Sequence, residues 1–337
     1  MLKAQHLLKC STTCLLVGSM VAGGTLGHYL PAEGQWLGER IDITLLLLIV
    51  LLLVGVRFES IVRALGHVRF LGVVLLANFV LIPAIGYVIA SLFLSSHPML
   101  MVGLTIYFMS PCTDWFLGFT RLANGNVALG TALIPINMVV QLLLYPLYIF
   151  LFTSNVVAVD SAVISTTLLQ WFLLPLVVAV AAHHALRKVL SSHHFSCLLD
   201  WIDRCTPLVV ALLVAQIFAD NIAVILEQRG IFGWMLLAVF VFFLVTFLLG
   251  ELISRLAALA YPEHALLTMT TAARNAPLML AVTMVALPDQ PLIHAAIIIG
   301  MLIEFPHLTL LRHLLLRCDP ADSIPTPRSS ITSSTHE

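Results

Sequence analysis

Three short segments put reactive side chains inside otherwise apolar runs. Ser110-Pro111-Cys112-Thr113-Asp114 holds a thiol and a carboxylate beside a proline. Arg274-Asn275-Ala276-Pro277 holds a guanidinium beside another, and Gly300-Met301-Leu302-Ile303-Glu304-Phe305-Pro306 holds a second carboxylate. A charge among hydrocarbon costs several kcal/mol, ~2.5–3.5 on insertion scales, so each one asks for a partner or a role. Asp114 and Arg274 have opposite sign and form a candidate crossover ion pair. That pair is either a structural salt bridge or one in which Arg274 competes with a cation or proton for Asp114, or meets substrate. Glu304 has no Lys or Arg within one turn of its own helix. It is a candidate proton carrier, or else a neutral carboxyl bonded to a backbone carbonyl. Cys112 is either a small apolar filler or, at an unwound helix end, a soft ligand for metals and metalloids. Asn137 and Gln141 are four apart on one helix face, and Asn78 lies near Pro83. Such amides line a path or tie helices together, and the lining role is expected of Asn137.

These side chains must be carried by membrane helices. Of the 337 residues, 60% are hydrophobic and 10% charged, and the mean hydropathy is +1.04. A soluble domain has roughly 45–50% apolar and about 25% charged residues. The apolar runs, as in Leu45–Val54 or Phe240–Leu249, are continuous rather than alternating, which excludes a β-barrel pattern. Lipid offers no hydrogen bonds, so the runs are predicted to be helices that satisfy their own backbone. At about 20 residues per span, ten are predicted: roughly 10–30, 41–56, 69–94, 98–120, 126–152, 161–186, 204–225, 231–257, 263–287 and 290–315.

The basic residues fix an orientation. With the N-terminus in the cytoplasm, thirteen of the sixteen Lys and Arg fall on the cytoplasmic side. Arg40 and Arg229 fall outside, and Arg274 lies deep in a span. That asymmetry is the one expected of inner-membrane proteins, and miscounting one span would scatter it. The first span also reads, as an alternative, as a signal peptide with Lys3 and Lys9 before a modest apolar stretch.

Ten spans divide as five plus five, and five is odd, so the second half enters the membrane inverted. Carriers of this kind bind substrate at the midplane, where an interrupted helix in each half unwinds. The fourth span is interrupted at Pro111 and the ninth, fourth in its own half, at Pro277. Proline removes a backbone donor and disfavours helix in the residue before it. The expected fold is therefore an all-α integral membrane protein of ten transmembrane helices, a five-plus-five inverted repeat with broken, crossing fourth and ninth helices. Its parts are residues 1–157, residues 158–317, and a Ser-, Thr- and Pro-rich cytoplasmic tail over 318–337 that reads as disordered.

These segments resemble the bile acid:sodium symporter superfamily, most of all its arsenical-resistance branch, the arsenite exporters. Pro111-Cys112-Thr113 resembles the Pro-Cys-Thr of their broken fourth helix. Thr271-Ala272-Ala273 with Asn275 resembles their Thr-Ala-Ala-x-Asn, and Gly300 with Leu302-Ile303-Glu304 and Pro306 resembles their tenth-helix motif. Pro135-Ile136-Asn137 resembles their Asn-bearing fifth helix. The resemblance implies core and panel domains with a site at the crossover. It places Cys112, Thr113, Asn137 and Asn275 as substrate-binding residues, with Glu304 as the coupling residue for proton antiport. Two departures stand out. The exporters carry Ser-Asn-Asn where this chain has Arg274-Asn275-Ala276, and Asp114 is outside their motif. Sodium-coupled members carry a glutamate and a glutamine near the places of Thr270 and Arg274, and an arginine there repels a sodium ion.

The expected function is proton-coupled efflux of arsenite or a related small metalloid. The alternative is transport of a small organic anion held by Arg274 and the half-helix ends. A membrane enzyme or receptor is the third reading, opposed by the lack of a nucleophile–base pair, metal-ligand pattern or appended soluble domain. The expected partners are a metalloid oxyacid or organic anion, protons and the lipid bilayer, with homo-oligomerisation left open. The net charge of −1 argues against nucleic acid, and no cofactor is expected. Six scattered cysteines do not suggest a disulfide framework. His183-His184 and His193-His194 read as a wet loop between helices rather than a metal site.

Overall fold

The computed structural model describes residues 2–54, 65–113, 115–153, 174–227 and 229–317. Every named element among them is helical. They are α1 (Leu2–Tyr29), α2 (Pro31–Gly38), α3 (Ile41–Val54), α4 (Val68–Leu76), α5 (Ile82–Leu94), α6 (Pro98–Phe108) and α7 (Trp115–Leu122). After these come α8 (Val127–Thr153), α9 (Leu174–Val189), α10 (Ser192–Glu227), α11 (Phe232–Leu256), α12 (Tyr261–Ala272), α13 (Ala276–Ala286) and α14 (Pro291–Arg317). Five stretches are long and apolar enough to cross a membrane: Val68–Leu94, Val127–Phe152, His193–Ala223, Phe232–Leu256 and Pro291–Arg317. Their outward faces are apolar too. Phe240, Leu244 and Leu248, one turn apart on α11, are each about half exposed, a cost in water that vanishes in lipid. The chain is an integral membrane protein.

The helices pack in two groups. One comprises α1, α2, α3, α9 and α10; the other comprises α4 to α8 and α11 to α14. The groups meet where α14 lies against α1 and α10 and where α13 lies against α3. In the first group, a Cβ at Gly23 or Gly27 of α1 would run into the backbone of Ala215 or Ala219 of α10. This small-residue spacing lets two apolar helices approach closely where no hydrophobic force drives them together.

In the second group, three breaks among the described residues depart from straight helices, each beside a proline. Pro83 has no N–H for the carbonyl four residues earlier, that of Phe79. The helix loosens into a π turn at Ala77–Leu81, and the Tyr148 hydroxyl donates to the Phe79 carbonyl at 2.6 Å. Another break falls between Phe108 and Trp115, at Pro111, and the last between Ala272 and Ala276, before Pro277.

Two expectations need correction. The seventh helix does not begin near 204 but at Ser192, making α10 36 residues long with a kink at Asn221. At 1.5 Å per residue it outreaches the roughly 30 Å hydrocarbon layer. The expected loop at the histidine pairs is correspondingly short. His183 and His184 lie in α9, and His193 and His194 in the first turn of α10. The Ser191 hydroxyl lies 2.7 Å from His194 Nδ1 and accepts from the His194 backbone N–H, the work of an N-cap serine. His183 is buried, its ring edge-on to Phe195. Among the described residues no group of three His, Cys, Asp or Glu side chains has the arrangement of a metal site.

Candidate functional site

The two broken helices cross at their breaks. Pro111 and Arg274 face each other as an isolated antiparallel β-bridge. The Cys112 N–H donates to the Ala273 carbonyl at 3.0 Å and the Asn275 N–H to the Ser110 carbonyl at 2.9 Å. Backbone groups freed by the prolines thus satisfy each other across the crossing.

Four sequence-predicted residues gather here, all buried. Cys112 is 1% exposed and packs in an apolar cluster with Phe70, Val74 and Phe116. Asn275 Nδ2 donates to Thr113 Oγ1 at 2.9 Å, tying the two breaks through side chains. Asn275 Oδ1 also accepts the Leu278 N–H at 3.3 Å and so caps α13. Glu304 reaches the same place from α14: Oε1 accepts the Arg274 backbone N–H at 3.0 Å, one residue beyond the carbonyl that holds Cys112. Asn137 stands one layer away on α8, its Nδ2 3.4 Å from Thr270 Oγ1. Asp114 lies outside the described residues, and so does its pairing with Arg274.

Among the described residues, backbone carbonyls hold the Arg274 side chain. Its Nη1 donates to the Phe108 carbonyl at 2.8 Å and its Nη2 to the Thr270 and Thr271 carbonyls. Phe108 ends α6, and Thr270 and Thr271 stand in the last turn of α12. The last carbonyls of a helix have no partner within it and form its negative end. One guanidinium therefore closes the negative ends of both first half-helices. It also sits 5.7 Å from the centre of the Phe242 ring, which stacks on Phe108 at 3.9 Å. The side chain is 0% exposed, and Glu304 meets the Arg274 backbone N–H rather than its guanidinium.

Sequence reasoning missed Tyr107. Its hydroxyl donates to Glu304 Oε2 at 3.3 Å, which is long for an O–H···O bond. Glu304 thereby touches both breaks at once, Arg274 through one oxygen and the end of α6 through the other. The available signal was Gly300, one turn before Glu304: a Cβ there would sit 2.6 Å from Tyr107 Cδ1, so only glycine admits the ring. Thr270 was noted only for what it replaces. Its Oγ1 accepts from both Asn78 Nδ2, at 3.2 Å, and Asn137 Nδ2, and so joins the π turn, α8 and α12.

Away from the crossing, Glu251 lies 3.8 Å from Arg255, as its i, i+4 spacing suggests, and 2.7 Å from His264 Nε2. This triad lies at the far end of α11 and α12 from the breaks.

Two half-helix pairs cross inside a lipid-facing bundle with their negative ends turned on one buried cation, the kind of arrangement around which membrane carriers build a site. The family model described as "Sodium Bile acid symporter family" matches residues 42–228, more than half of the chain. The chain belongs to that family, within the bile acid:sodium symporter superfamily. A relative in Oryza sativa subsp. japonica, "Probable sodium/metabolite cotransporter BASS2, chloroplastic", is 26% identical over 243 residues, which is 71% of this chain. The chain spans about half of that relative's length, 55%.

Proposed function

We propose that the protein is a secondary transporter coupled to protons through Glu304, moving arsenite or a related small metalloid outward at the crossover. One observation carries the reading. The thiol-bearing Cys112 and the carboxyl of Glu304, 192 positions apart by subtraction of their numbers, are tethered to adjacent residues of the second break, Ala273 and Arg274. Cys112 supplies the soft sulfur ligand. Glu304 as a carboxylate accepts from both broken helices, and a proton on it removes one acceptor and weakens that double tie. The crossover helices then rock against the group formed by α1, α2, α3, α9 and α10, with the site near the midplane.

Sodium has no part in this reading. Unwound carbonyls and half-helix C-terminal ends are where such carriers hold a coupling cation, and here those ends hold the Arg274 guanidinium. The chain is read as a five-plus-five inverted repeat in the bacterial inner membrane, with both termini cytoplasmic, following its Lys and Arg asymmetry. The relative's description as a metabolite cotransporter favours a second reading, transport of a small organic anion.

Purified protein in vesicles tests the coupling. With arsenite inside and an imposed inward proton gradient, arsenite leaves faster than without the gradient, a protonophore abolishes the gain, and a sodium gradient changes nothing. Efflux driven by sodium and indifferent to the proton gradient would reverse the assignment.

A further inference from the structure

We infer that a cluster of uncharged amides around Thr270, with Gln141 at its centre of specificity, recognises the hydroxyl groups of an uncharged solute. The inference rests on the crossover being the transport site and deepens that reading by choosing the charge state and chemistry of the cargo.

Gln141 is 2% exposed, and neither of its side-chain polar atoms has a protein partner. Asn78 and Asn137 are 0% exposed, and each spends its Nδ2 on Thr270 Oγ1 while its Oδ1 has none. Arg274 Nε, one turn beyond Thr270, is likewise without a protein partner. Asn78 and Asn137 meet at one hydroxyl, and Gln141 stands one turn from Asn137 on the same face of α8. Native proteins leave few buried polar atoms unpaired, because each costs about 1–3 kcal/mol. Several together are expected where a ligand completes them.

The chemistry of the ligand follows from what is unpaired. Turning either asparagine amide over exchanges its oxygen and nitrogen, so one polar atom of each stays unpaired whichever way it is set. A hydroxyl fits both settings, since it donates and accepts. A cation is opposed by the Arg274 charge a turn away. A carboxylate needs donors throughout, yet Arg274 has committed both terminal nitrogens to carbonyls and keeps only Nε, and the unpaired amides offer acceptor oxygens as well as nitrogens. An uncharged, hydroxylated solute remains, such as a metalloid acid in its fully protonated form.

The test measures binding to the purified protein by the shift in its melting temperature. The probes are boric acid, which offers three hydroxyls and no affinity for sulfur, arsenous acid at a pH where it is uncharged, taurine as an organic anion, and sodium chloride against choline chloride. Boric and arsenous acids raise the melting temperature, and Gln141→Leu weakens both about tenfold, the equivalent of ~1.4 kcal/mol. Cys112→Ser weakens arsenous acid only. Gln141→Glu, which keeps an acceptor, retains part of the boric acid response and guards against a folding defect in the leucine variant. If arsenous acid fails while boric acid binds and depends on Gln141, the arsenite reading with its thiol ligand falls and this one stands. Stabilisation by taurine or sodium with none by boric acid overturns it, and so does boric acid binding that is unchanged in Gln141→Leu.

Discussion

Replacing Arg274 with methionine removes most of the folded protein. The substitution leaves the carbonyls of Phe108, Thr270 and Thr271 facing an apolar side chain, and it removes a buried positive charge from the residue whose backbone N–H Glu304 accepts. Removing one partner of a buried charged pair costs ~3–5 kcal/mol, because the other is left buried and uncompensated. The loss should appear as a collapsed monodisperse peak in detergent and a melting temperature many degrees lower. Arg274→Lys should fall between, since a point charge reaches fewer of three carbonyls than a planar fork does. Joining Arg274→Met to Glu304→Gln removes the uncompensated carboxylate, so the double variant should recover a large part of the folded yield that the single variant loses. Additivity of the two losses would show that the charges do not balance each other. If the guanidinium stands where a cation would bind, sodium should stabilise Arg274→Gln more than choline does.

Glu304→Gln should take proton-driven transport down to the level of protein-free vesicles while leaving a folded protein. Glutamine keeps the oxygen that accepts the Arg274 N–H, and its amide can donate to the Tyr107 oxygen, so the ties between the breaks survive. What it loses is the exchange of a proton. Substrate-for-substrate exchange, which needs no net proton movement, should therefore continue at near the native rate. This split marks a coupling residue, since a merely structural one would lose both activities. Gradient-driven efflux that persists in Glu304→Gln would remove Glu304 from the coupling role.

Much of this architecture was readable from local signals. Proline at 111 and 277 marked both breaks because the defect it makes is local to the chain. Charges in apolar runs marked Arg274 and Glu304 for the same reason. Their partners were not readable. Arg274 is held by carbonyls, which every residue carries, so no spacing announces Phe108, Thr270 and Thr271. Tyr107 meets Glu304 across 197 positions, and only Gly300, cleared to admit its ring, left a trace in the sequence. Asp114, the carboxylate partner chosen for Arg274 by sign, lies outside the described residues; the backbone at the ends of α6 and α12 is a multiple acceptor that sign-matching does not look for. The start of α10 was misplaced because hydropathy reports where a helix meets lipid, and this helix continues past it. Pro83 and the carbonyl it frees at Phe79 could have predicted the π turn that carries Asn78 into the site.

The central claim is that the thiol of Cys112 and the crossover around it carry a metalloid out of the cell. Arsenite accumulation in a sensitive bacterial strain tests it most directly, comparing the native chain, Cys112→Ser and an empty vector, with each protein shown to be in the membrane. The account predicts low accumulation with the native chain alone, and accumulation with Cys112→Ser equal to that of the vector. Equal accumulation in all three would contradict it and make a small organic anion the cargo to pursue.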